Sequence, residues 1–288
     1  MSALARTAVV LTLVLGATAP AAAFKVTVKP AAVRQGDVAM IVVTGAPNAP
    51  GMDGIVAGRP LFFFPYADGY AALIGVDLEE KSGKAPWRIG FVDGSGASHH
   101  ASGRIPIMTR SFPVQRLSLP KGMVDLSPAN ESRAEMEAAR LRALYDTITS
   151  ERLWRGRFTR PVASDLKAEG FGFRRVINGK PRAPHSGVDF AAPTGTPVVA
   201  SNRGRVALVA EHFFGGRLVA LDHGEALYTL YMHLERVDVV EGALVERGAI
   251  IGAVGSTGRA TGPHLHWAAQ LRRARIDPSA LLTLPVGD

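Results

Sequence analysis

The 288-residue sequence predicts a mostly β chain in three parts: an immunoglobulin-like β domain, a linking helix and an antiparallel β module. Three observations carry this. Apolar residues alternate with polar ones at a period of two through the first hundred residues after an apolar leader. One stretch, Leu126 to Trp154, has helical spacing instead. Beyond Phe158 the chain returns to short apolar runs cut by glycine-rich turns.

Residues 1–23 read as a secretory signal. Arg6 supplies the positive start, Ala8 to Leu15 a short apolar run, and Ala21-Ala22-Ala23 the small residues of a cleavage site. The run is shorter than the ~18–20 residues of a membrane span. Cleavage near Phe24 places the protein outside the cytoplasm, in the periplasm.

Residues 24–120 form the first domain. Phe24, Val26 and Val28 alternate with Lys25, Thr27 and Lys29; Trp87, Ile89 and Phe91 alternate again. Gln35-Gly36-Asp37 turns the chain into the apolar run Val38 to Val43. Short strands with frequent turns suggest a sandwich. His99 and His100 are expected in an exposed loop, without a third ligand.

Residues 121–156 are the helical linker. Ser127-Pro128 suits an N-cap and first-turn proline. Ala134, Ala138, Leu141, Leu144, Tyr145 and Ile148 recur at helical spacing, a stripe that packs against a neighbouring domain.

Residues 157–288 hold the chemistry. Short strands are expected at Val198–Ala200, Arg205–Val209, Arg217–Leu221, Ala226–Met232 and Ala249–Val254. The chain has no cysteine, so a metal must be held by His, Asp or Glu. His264 and His266 sit two apart; on a strand they share a face, roughly 6–7 Å apart. That suits one metal-binding imidazole and one that reaches a water or substrate. His185 and Asp189 are four apart, but Pro184 and Gly187 oppose a helix. A turn carrying His185 and a strand opened by Asp189 bring them together. His233 lies in the apolar run Ala226 to Leu234. Two His and one Asp make a three-ligand zinc set with a position left for water, and the remaining histidines handle protons. The chemistry alone does not say which residue does which.

These pieces occur in a longer pattern: FGFRR (171–175), NG (178–179), PHSGVDF (184–190), AAPTGTPV (191–198), DHG (222–224), TLYMHL (229–234), the 239–258 run ending GSTG, TGPHLHW (261–267) and DP (277–278). The pattern resembles the lysostaphin-type (LytM-like) zinc endopeptidases of peptidoglycan, over roughly Phe158 to Leu282. The resemblance implies a compact β fold with a groove across one zinc ion. It implies that His185, Asp189 and His266 bind zinc and that His233 and His264 are catalytic, flanking the water. It implies peptidoglycan stem peptides as substrate, cut at glycine bridges or at D-alanyl–diaminopimelate cross-links; a simple cleavable signal with no wall-anchoring repeat and no lipid cysteine makes the D-alanyl–diaminopimelate link the one expected. The alternative is a catalytically silent relative that activates or scaffolds another wall hydrolase; such relatives lose ligands that are all present here. Many family members carry a Glu soon after the aromatic residue that follows the last zinc histidine. Here Trp267 precedes Ala268 and Ala269.

The net charge is +8 and the pI about 10.1. That excess suits an acidic polymer such as cell wall, and no Lys/Arg block reads as a nucleic-acid arm. A monomer without a transmembrane span, regulated by an envelope protein, completes the expectation. Arg174 or Arg175 is a candidate for a substrate carboxylate. Tyr231 shares strand parity with His233 and is a candidate groove residue. Asn178 is left open between ligand, gate and turn residue.

Overall fold

A computed structural model describes residues 24–46, 49, 51–163 and 168–286. The expected signal segment 1–23 lies outside the described residues. None of the helices among them is long and apolar enough to cross a membrane.

The first part is two sheets facing one core. A four-stranded sheet runs in the order Lys25–Lys29, Val38–Thr44, Gly69–Gly75, Phe64–Tyr66. A five-stranded sheet runs Val33–Arg34, Ser98–Met108, Gly83–Val92, Asp53–Val56, Arg59–Pro60. Ile41, Val43, Ala72 and Ile74 from one meet Ile89, Phe91, Ile105 and Ile107 from the other. The alternation read in the sequence is this inward face. His99 and His100 depart from expectation: they belong to strand Ser98–Met108, not a loop. His99 stacks on Phe91 at 4.8 Å and its Nε2 meets Asp93 at 2.7 Å.

The helix, α1, covers Pro128–Asp146, shorter than Leu126 to Trp154. The Ser127 hydroxyl caps it, accepting from the Asn130 amide at 3.3 Å. It ends because the residues beyond it bond elsewhere: the Thr149 hydroxyl donates to Asp222 Oδ2 at 2.5 Å, and the Leu153 amide donates to the His223 carbonyl at 2.8 Å. Leu141, Leu144 and Tyr145 pack on Leu208, Leu218 and Tyr228, so part of the predicted stripe is used.

The last part is a nine-stranded antiparallel sheet. Its main path is Gly187–Ala191, His264–Leu271, Leu227–Val237, Gly216–Asp222, Gly204–His212, Leu244–Val245. Pro197–Val199, Ile250–Val254 and Ala274–Ile276 pair off this path. A small sheet joins the regions: Val114–Leu117 runs parallel to Arg174–Ile177. The mostly β chain expected from the sequence is therefore the one observed.

The β layers share a core. Met40, Val42, Phe64 and Leu73 of the four-stranded sheet pack with Trp154, Leu227, Leu271, Ile276 and Leu281. Polar ties cross the same seam. Arg275 Nη2 pairs with Asp77 Oδ1 at 2.7 Å, and Arg272 Nη1 donates to the Leu73 carbonyl at 2.6 Å.

Candidate metal centre and groove

Register sets the site. Asp189 lies opposite His266, Ala191 opposite His264, and Met232 opposite His266. Residues opposite one another in an antiparallel pair share a face, and so do residues two apart. Asp189, His264 and His266 therefore rise from one face of neighbouring strands. His185 precedes the Gly187–Ala191 strand, held by bonds from its amide to the Phe173 carbonyl at 3.0 Å and from the Gly172 amide to its own carbonyl at 2.8 Å.

Strict alternation would put His233 on the face opposite Met232. It does not, because His233 has φ +63°. This left-handed conformation is uncommon for a residue with a Cβ. The sheet pairing slips on either side, between Arg217 and Val219 and between Leu234 and Arg236. The result is an imidazole in the groove, its ring centroid 4.6 Å from that of His264 and 6.1 Å from that of His266. Tyr231, the parity partner, is instead fully buried, its hydroxyl bonded to Ser201 Oγ at 2.6 Å. The groove residue on that strand besides His233 is Met232.

Three donor atoms converge. His185 Nε2 is 2.8 Å from His266 Nδ1 and 3.2 Å from Asp189 Oδ1, and His266 Nδ1 is 2.9 Å from the same oxygen. Tetrahedral ligands at zinc bond lengths stand roughly 3.3 Å apart, so the spacing fits. Lone-pair chemistry points the same way. The His185 Nδ1–H donates to the Gly170 carbonyl at 2.9 Å, which leaves a bare lone pair on Nε2. That lone pair faces a carboxylate and a second imidazole, an arrangement a cation satisfies. The bond to Gly170 also fixes the ring, as outer partners of metal histidines do. Burial alone would raise the Asp189 pKa, but the imidazoles of His185 and His266 against its carboxylate hold it well below the usual carboxylate range. Burial pushes the His266 pKa down to about 4, which keeps this imidazole neutral.

His233 and His264 stand beside the three. The His233 Nδ1–H donates to the Thr257 carbonyl at 2.8 Å, and the His264 Nδ1–H donates to the Gly262 carbonyl at 2.8 Å. Each ring is thereby oriented with Nε2 free to accept. His264 Nε2 is 3.9 Å from Asp189 Oδ1. Burial is the main reason the His233 pKa falls to about 3, with His266 and His264 adding to it.

All five site residues line a groove of about 700 Å³. Its far wall includes Gln115, Leu117 and Leu119, outside the matched motifs. Asn178 holds that wall: its side chain accepts from the Leu119 amide at 3.0 Å and donates to the Leu119 carbonyl at 2.9 Å. It is a turn residue with φ +50°. Arg174 faces away, pairing with Glu79 at 3.2 Å, whereas Arg175 lines the groove. Ala268 and Ala269 are buried, each in a different apolar cluster. The carbonyls of Gly170, Thr257 and Gly262, which orient three of the imidazoles, carry no side-chain signal that a sequence could show.

Residues 183–278 match the profile of peptidase family M23. They are an M23 peptidase domain. Curated relatives of this domain include the peptidoglycan DD-endopeptidase ShyA of Vibrio cholerae serotype O1, 47% identical over 90 residues, which are 31% of this chain and 21% of that protein. The DD-carboxypeptidase/endopeptidase Mpg of Neisseria meningitidis serogroup B is 44% identical over 94 residues, 33% of this chain and 22% of that one. The alignments thus span about a fifth of those relatives' length, and the similarity is that of the M23 domain. A crystal structure from Pseudomonas aeruginosa, described as of the peptidase M23 type, extends over 86% of this chain and 94% of its own, with a TM-score of 0.61 and 28% identity. That likeness takes in the β sandwich as well as the M23 domain. M23 peptidases are zinc-dependent, and His185, Asp189 and His266 offer donors that fit the ion.

Proposed function

We propose that the protein is a zinc metalloendopeptidase that hydrolyses peptide cross-links of peptidoglycan, with the D-alanyl–diaminopimelate link as its bond. The observation that carries this is the convergence of His185, Asp189 and His266 with two further oriented imidazoles in one groove. The similarity to proteins named as DD-endopeptidases supports the choice of bond.

In this reading His185, Asp189 and His266 hold zinc, and His233 and His264 are the proton-transfer groups. Zinc, when bound, polarises the scissile carbonyl and makes water a nucleophile near neutral pH. His233 stays neutral because it is buried, so its Nε2 accepts a proton as water adds to the carbonyl carbon. The C–N bond then breaks and the proton leaves on the new amine. His264, with its ring centroid 4.6 Å from that of His233, is placed to take up that proton on its Nε2, to bond the developing oxyanion through the resulting N–H, and to deliver the proton to the leaving amine.

The silent-activator alternative requires a damaged site, and both proton-transfer histidines and the full donor set are present. We place the enzyme in the periplasm as a monomer, acting on stem peptides rather than nucleic acid and answering to an envelope regulator. Elemental analysis tests the metal assignment: the wild-type chain carries one zinc, and His185→Ala and Asp189→Ala carry almost none. Equal zinc in wild type and both variants would sink it.

A further inference from the structure

Three guanidiniums meet beside the metal centre. Arg175 and Arg259 line the groove. With Arg182 they also line a second hollow, which opens toward Leu126 and Glu131 at the start of α1. Arg175 Nε donates to Gln115 Oε1 at 3.4 Å, and its Nη2 stands 3.9 Å from Asp189 Oδ2. Arg182 Nη2 donates to the Val124 carbonyl at 3.1 Å. The Arg259 guanidinium lies 4.0 Å above the Phe214 ring, and its amide donates to the Phe214 carbonyl at 3.0 Å. Gly258 makes that seat possible: a Cβ there would stand 2.2 Å from the Gly216 amide nitrogen.

The partners of these arginines set them apart. Arg59, Arg110, Arg174, Arg236, Arg273 and Arg275 each pair with a carboxylate. Among the described residues, no carboxylate lies within 4.0 Å of Arg182 or Arg259. Glu131 and Glu169 are the other acids of these walls. Burial, then the charges of Arg175 and Arg182, push the Arg259 pKa down to about 10. The fold therefore holds like charges together at the edge of a groove, with the Arg182 and Arg259 guanidiniums unpaired by any carboxylate among the described residues.

We infer that Arg175, Arg182 and Arg259 form a carboxylate subsite, which selects extended peptides bearing a free carboxylate next to the bond to be cut. Guanidinium forks match a planar carboxylate in shape and charge. Arg175 touches both the subsite and Asp189, so a carboxylate bound there lies close to the reacting carbonyl. The inference deepens the endopeptidase reading and rests on it for the nature of the peptide. Arg182 and Arg259 act as specificity-determining residues and touch none of the five site residues.

The test uses two synthetic cross-linked stem dimers, one with free side carboxylates and one with these amidated. Binding to the chelator-treated full chain is measured by calorimetry, and KM and kcat are measured with zinc restored. Wild type binds the free-carboxylate dimer about tenfold more tightly, the size of one charge-assisted hydrogen bond. Arg182→Gln and Arg259→Gln each remove most of that preference, raising KM for the free dimer and leaving the amidated one unaffected. Arg259→Lys keeps part of the preference. Arg174→Gln, on a residue that faces Glu79, keeps all of it. No preference in wild type, no measurable binding, or an equal loss on both dimers overturns the subsite. A preference in binding without cleavage of either dimer sinks the endopeptidase reading and leaves the subsite standing.

Discussion

Glu225 and His223 flank Gly224 in one turn, and they titrate in opposite senses. His223 is buried, bonded to the Arg203 carbonyl at 2.8 Å and Thr229 Oγ1 at 2.7 Å, and burial pushes its pKa down to about 4. Glu225 is also buried, and burial pushes its pKa up to about 7 against the pull of Arg152 and Arg272. A carboxyl whose folded pKa is raised stabilises the fold below its unfolded pKa of 4.5, and that contribution is lost as pH rises toward 7. The histidine does the reverse: its contribution is present above 6.5 and lost as pH falls toward 4. The two offset each other in the wild type between about 4.5 and 6.5. Glu225→Gln removes one of them. Urea unfolding at pH 5 and pH 7.5 should show the variant gaining on the order of 2–3 kcal/mol relative to wild type between these two values. An unchanged difference would show that Glu225 ionises normally.

The five candidate residues, singled out in the sequence by type, spacing and resemblance, come together in one groove. The face of His233 was not legible in the sequence. Period-two counting pairs it with Tyr231, and only the φ of +63° turns it into the groove. Nothing in a histidine announces a left-handed backbone. Arg174 and Arg175 were equivalent by sequence; their division between Glu79 and the groove follows from which face of the Arg174–Ile177 strand meets the sandwich.

At the scale of elements, the register between strands Gly187–Ala191 and His264–Leu271 fixes the donor set. Gly187 is a point of close approach between the two. A Cβ there would lie 2.5 Å from the Trp267 carbonyl oxygen and 2.7 Å from His266 Nε2. Gly187→Ala is therefore expected to cost about 1–3 kcal/mol of stability by overpacking. It also displaces the His266 ring, so zinc affinity falls. Zinc competition with a fluorescent chelator, together with thermal unfolding, checks both effects; wild-type affinity in the variant would contradict the register account. The start of α1 was legible, since Ser127 caps it as its position suggests. Its end was not. The Thr149 and Leu153 contacts that draw the chain away from the helix are made to Asp222 and His223, more than sixty residues on. Likewise, turn-forming residues around His99 suggested a loop, but the hairpin partner Gly83–Val92 extends far enough to take it up.

Across the whole molecule, the sandwich and the M23 domain are joined by apolar packing. Trp154, Leu73, Leu227 and Leu271 lie in one cluster that draws on both. Such a seam buries residues of the kind that stabilise a domain interior. The chain from Phe24 is expected to unfold in one cooperative transition, seen alike by circular dichroism and by tryptophan fluorescence. Two separated transitions would mean that the seam adds little. The three-part order of the chain was readable because one stretch of helical spacing separates two β-patterned parts. The shared seam was not, because its residues belong to both patterns at once.

Digestion of purified peptidoglycan by the chain from Phe24 is the most direct test of the account as a whole. The digests are made with zinc, with chelator and with His233→Ala, and the products are read by mass spectrometry. The account predicts that zinc-loaded wild type converts cross-linked dimers to monomers by opening the D-alanyl–diaminopimelate bond. Chelator stops this, and His233→Ala slows it by about 10²–10⁴-fold while retaining zinc. Intact dimers after incubation with the zinc-loaded wild type, or cleavage that His233→Ala leaves untouched, would contradict it.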